Sequence, residues 1–114
     1  MITYNEKHQK IIESGIDEIR KTLFGNDDNL IRELLFCLDF YLDPYYKNQL
    51  SYEKEIYDLL QELAVTSNNE DITNDCFQLI GDYMTYPADI LRNRFDEINE
   101  NDKPYIKYLL TYWI

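Results

Sequence analysis

Residues 29–42, NLIRELLFCLDFYL, repeat apolar side chains every three or four positions. Leu30, Ile31, Leu34, Leu35, Leu38 and Leu42 make one helix face, and Phe36 and Phe40 make an i,i+4 pair on another. A helix apolar on most sides belongs in the middle of a bundle, covered by several neighbours. Asp43-Pro44 ends the run, because the residue before a proline avoids the helical region.

The same repeat continues on both sides. Residues 5–24 form a first helix through Ile11, Ile12, Ile16, Ile19 and Leu23, with Gly25 at its C-terminal end. NDDN, 26–29, supplies caps for the next helix. PYYKNQL is a loop or an early helical turn, and Ser51 caps a helix over 52–65. Its inner face is Tyr52, Ile56, Leu59, Leu60 and Leu63. A fourth helix covers 70–84, with Ile72, Cys76, Leu79, Ile80 and Tyr83 inward. A fifth starts with Pro87 in its first turn and runs to about residue 99. A sixth, capped by Asp102, uses Ile106, Leu109, Leu110 and Trp113 and reaches the chain end. With only 3 Gly and 3 Pro in 114 residues, breakers are scarce. The expectation is one all-α domain over 1–114, an irregular bundle of five to six antiparallel helices.

Charge is unevenly placed on this framework. The chain carries 22 acidic and 11 basic residues, a net charge of −11. From Glu55 to Leu91 there is no Lys or Arg, only Glu55, Asp58, Glu62, Glu70, Asp71, Asp75, Asp82 and Asp89. At 100° per residue, Asp71, Asp75, Gln78 and Asp82 share one stripe. Glu55, Asp58 and Glu62 form another on the preceding helix. If those two helices make a hairpin, the stripes join into one surface. Like charges at i,i+4 cost about 0.2–0.5 kcal/mol each. Helix 5–24 avoids that cost by mixing signs: Glu6, Lys7, Lys10, Glu13, Asp17, Glu18, Arg20, Lys21. The plainer reading of the acidic run is a solvated face. The functional reading is a surface that meets a basic partner. Glu55, Asp58, Glu62, Glu70, Asp71, Asp75, Asp82, Tyr83 and Tyr86 are the candidate partner-binding residues.

There are 11 Tyr, and Tyr41, Tyr45, Tyr46, Tyr83 and Tyr86 are candidates for partial exposure. Tyrosine gives large contact area with a polar tip and is enriched at interface hot spots.

The composition excludes several classes. The acidic balance argues against direct nucleic-acid binding and against an anionic membrane surface. His8 is the sole histidine, and Cys37 and Cys76 are isolated, so a His-based triad or a zinc site lacks partners. DITNDCFQLIGD, 71–82, has calcium-loop spacing, but Cys76 stands where the turn needs glycine. No phosphate loop or nucleophile elbow is present, and no enzyme is expected. No cofactor is implied. Free thiols among apolar residues and a start without an apolar signal core suggest a cytoplasmic protein with no membrane span.

The whole-chain profile resembles the small, acidic, all-helical immunity proteins of bacterial contact-dependent growth inhibition and related polymorphic toxin systems. The likeness lies in length, helix content, negative charge and the uninterrupted acids of 55–91. It implies a protein that binds a competitor's toxic domain and blocks its active site. Many such domains are basic nucleases, RNase or DNase, toward which carboxylates stand in for phosphate. The alternatives are a phage-type nucleic-acid mimic and a helical adaptor or structural domain that binds a partner helix through the Phe36/Phe40 face and the apolar C-terminal LLTYWI.

Overall fold

The computed structural model describes residues 2–111, and every regular element among them is helical. The helices are α1 (Glu6–Glu13), α2 (Ile16–Leu23), α3 (Asp28–Leu42), α4 (Glu53–Thr66), α5 (Glu70–Tyr83), α6 (Asp89–Asn93) and α7 (Lys103–Leu110). Short 3-10 turns lie at Pro44–Tyr46 and Phe95–Glu97.

The expected helix over 5–24 is two helices. Gly15 has φ +110, a conformation that L side chains rarely adopt, and it turns the chain between α1 and α2. The left-handed glycine is therefore Gly15 and not Gly25. At the start of α1, Asn5 and His8 form a reciprocal capping box. His8 Nδ1 accepts the Asn5 N–H at 3.0 Å, while Nε2 lies 3.4 Å from Glu33 of α3. The lone histidine is thus a buried pin between α1 and α3.

Asp27 caps α3 and Asn69 caps α5 through their side chains, each accepting an N–H of the first turn. Two expected caps are not formed. α4 begins after Tyr52 with no side-chain cap, so Ser51 lies outside it, and Asp102 makes no cap hydrogen bond at α7. The expected helix over 87–99 is the short α6 followed by a 3-10 turn, with Pro87 ahead of it. Gln61 of α4 supplies what α6 lacks: its buried carbonyl oxygen accepts the Leu91 N–H at 3.2 Å. Trp113 and the chain end lie outside the described residues.

One core runs through all seven helices, from Ile12 to Ile106. α3 sits against α1, α2 and α5, as its apolar girth requires. α5 packs between α3 and α4. The connection 67–69 turns the chain back along α4, so α5 returns in the direction of α3. Arg32 near the start of α3 meets Asp71 and Asp75, and Asp39 and Asp43 near its end meet Tyr83. α3 and α5 are therefore parallel neighbours, as two successive reversals of the chain require. Cys37 and Cys76 are free and buried. No described helix is long and apolar enough to cross a membrane.

Candidate partner-binding surface

The parallel pairing of α3 and α5 aligns two stripes of identical spacing. On α5 the stripe is Asp71, Asp75, Gln78 and Asp82. On α3 it is Arg32, Phe36 and Asp39, followed by Asp43 just past the helix end, again i, i+4, i+7, i+11. Between them lies a groove of about 240 Å³, lined by Arg32, Phe36, Asp39, Asp75 and Gln78 over Leu35 and Leu79. Ile2 of the N-terminal segment closes one side.

Arg32 enters the acidic stripe from a neighbouring helix. Its Nε donates to Asp75 Oδ2 at 2.9 Å, and its Nη1 lies 3.8 Å from Asp71. The hydrogen bond to Asp75 raises the guanidinium pKa. Asp71 and Asp75, chosen as unopposed charges, thus share a cation that lies 39 and 43 residues away in sequence. Asp58 is likewise paired, with Lys54 at 3.3 Å. Glu62 is exposed on α4 and acts electrostatically on Arg94. The α5 stripe therefore leans toward α3, and Glu62 toward the segment after α6. Glu55, Glu62, Glu70 and Asp82 are exposed and have no cation within salt-bridge distance among the described residues.

Tyr83 is half-buried and partnered. Its hydroxyl donates to Asp39 at 2.8 Å and lies 3.4 Å from Asp43. Burial pushes its pKa up, and the adjoining Asp39 carboxylate adds to the shift. Tyr86 is half-buried, 6.0 Å ring to ring from Tyr57. Tyr41, a candidate for partial exposure, is instead buried and donates to Glu13 at 2.8 Å.

The sequence reading missed Arg32, Asp39 and Asp43. Their signal was present in the i, i+4, i+7, i+11 spacing, but the surrounding leucines masked it. Asp39 and Asp43 have no cation in salt-bridge reach among the described residues. Beside them the aromatic surface is open: Phe36 is 46% exposed, Tyr45 81% and Tyr46 48%. The rings of Phe36 and Tyr4 form a T-shaped pair at 5.5 Å, and Tyr46 packs tilted against Phe40 at 4.7 Å.

No His, Cys, Asp or Glu group among the described residues is arranged to hold a metal ion. Residues 71–82, with their calcium-loop spacing, lie inside α5, where a helical backbone cannot wrap an ion. Comparison with protein-family models, curated proteins and solved structures returns no match.

Proposed function

We propose that the chain is an immunity-type inhibitor that binds a basic toxin domain, an RNase or DNase, in the cytoplasm and covers its substrate cleft. The observation that carries this reading is the set of exposed and half-buried carboxylates without a cation in salt-bridge reach among the described residues. Half-buried Asp39 and Asp43 and exposed Asp82 flank Tyr83, and Glu55, Glu62 and Glu70 are exposed elsewhere on α4 and α5. A surface left this negative stores repulsion that a cationic partner relieves, and it steers the encounter with that partner. Its phosphate-like charge suits a cleft built for nucleic acid.

The test is to express the toxin-type domain encoded next to this gene and titrate the protein against it at low and high salt. Tight binding that abolishes the toxicity is expected, with affinity falling as salt rises. The triple variant Asp71→Asn, Asp75→Asn, Asp82→Asn should bind about tenfold more weakly. Unchanged binding would remove the α5 stripe from the interface. A neighbouring gene unrelated to any toxin would favour the nucleic-acid mimic or the adaptor. The adaptor reading is supported by the exposed Phe36, and it requires binding that salt leaves unchanged.

A further inference from the structure

We propose that the groove between α3 and α5 receives a partner segment in which an apolar side chain is flanked by arginine or lysine. This rests on the basic-partner reading above and names the place and chemistry of contact. The acidic stripe and the aromatic face, separate alternatives in the sequence, form one surface in the fold.

Three observations select this occupant. The groove floor is apolar, with Leu35 and Leu79 below the exposed ring of Phe36. An apolar side chain seated there removes from water a ring that the monomer leaves 46% exposed. The rim is acidic on both long sides. The lining carries Asp39 on α3 and Asp75 on α5, with Arg32 the one cation among its described residues; Asp71 reaches Arg32 at 3.8 Å, and Asp43 and Asp82 act on Tyr83 beside Asp39. A purely apolar helix would desolvate those carboxylates without compensation, whereas basic flanks pair them. Tyr45 and Tyr46 follow Asp43 in the chain, their rings edge to face at 5.2 Å, and the 81% exposed ring of Tyr45 offers a face to a cation.

Arg32 occupies part of this site already. Its guanidinium holds Asp75 and Asp71 as a partner's arginine would, so it competes with any basic ligand. The proposal therefore predicts opposite signs for two substitutions in one groove. Removing Asp39 or Phe36 weakens binding, and removing Arg32 strengthens it.

The experiment uses the full chain and a short helical peptide that carries Leu and Arg on one face. Binding is followed by amide chemical-shift mapping and by titration. Perturbations are expected at Arg32, Phe36, Asp39, Asp75 and Gln78. Phe36→Ser with Asp39→Asn should weaken binding about tenfold, and Arg32→Gln should strengthen it about threefold. Unfolding midpoints check that each variant is folded. Absence of binding, perturbations confined to the Glu55, Glu62 and Glu70 surface, or an Arg32→Gln variant that binds no better would each overturn the proposal. The toxin domain separates the two readings. Neutralisation that survives Phe36→Ser, Asp39→Asn keeps the inhibitor and removes the groove. Peptide binding at the groove without neutralisation of any toxin keeps the groove and removes the inhibitor.

Discussion

Arg32 of α3 and Asp75 of α5 meet at 2.9 Å although 43 residues separate them in the chain. Both side chains are a little over a quarter exposed, 29% and 28%, so the pair is only partly screened by water. A double-mutant cycle with Arg32→Met and Asp75→Asn should give a coupling of about 1 kcal/mol in urea unfolding. A coupling indistinguishable from zero would mean that solvent already separates the charges.

Gly15 tests the turn between α1 and α2. No atom lies within 4 Å of a Cβ built there, so Gly15→Ala brings no clash. It does bring backbone strain, because φ is +110. The expected loss is about 1–3 kcal/mol, read as a lower denaturant midpoint. A neutral substitution would show that α1 and α2 relax into one continuous helix at no cost.

Gln61 holds α6 from a distance. In Gln61→Met the Leu91 N–H keeps its buried position and loses its acceptor. An unfolding loss of about 1–3 kcal/mol is expected, with hydrogen exchange accelerated first at residues 89–93. A change spread evenly over all helices would argue against this specific cap.

Alkaline pH should weaken the fold through its buried phenols. Burial raises the phenols of Tyr41, Tyr57 and Tyr83 above their ordinary 10.0, with hydrogen-bonded Glu13 and Asp39 adding to Tyr41 and Tyr83. A group whose folded pKa is raised contributes stability that is complete below the unfolded pKa and is lost as pH climbs toward the folded one. The urea midpoint should therefore be flat up to about pH 9 and fall from about pH 10 upward, while fewer than all tyrosines ionise in the native state. Tyr83→Phe should reduce that slope. It also deprives Asp39 of its hydroxyl donor, costing about 1 kcal/mol at neutral pH.

The helical class was legible because helix formation here is governed by near neighbours. Apolar residues three and four apart place Ile12, Leu34, Leu60, Ile80 and Ile106 inward, and each is buried. The end of α3 at Asp43-Pro44 and the start of α5 after Asn69 depend on residues within one turn, and both follow from local chemistry. Where local spacing misled, a conformation it does not encode had intervened. Gly15 broke a helix whose apolar pattern runs on without interruption, and the pattern through Phe95 and Ile98 continues across a 3-10 turn.

The site needed the tertiary structure. Acidic residues 55–91 are unopposed in sequence, and their charge count was correct. Asp58 and Asp89 have cations on their own helices, in Lys54 and Arg92, but the balance of others depends on what crosses from elsewhere: Arg32 reaches Asp75, and Arg94 lies within electrostatic range of Glu62. Charge acts through space over several ångströms, so no window along the chain contains both members of these crossing pairs. The sequence alone determined an all-helical chain with an excess of carboxylates on its outer faces. The parallel pairing of α3 with α5 decided which of those carboxylates stand beside exposed aromatic rings, because only packing sets one helix's stripe against another's.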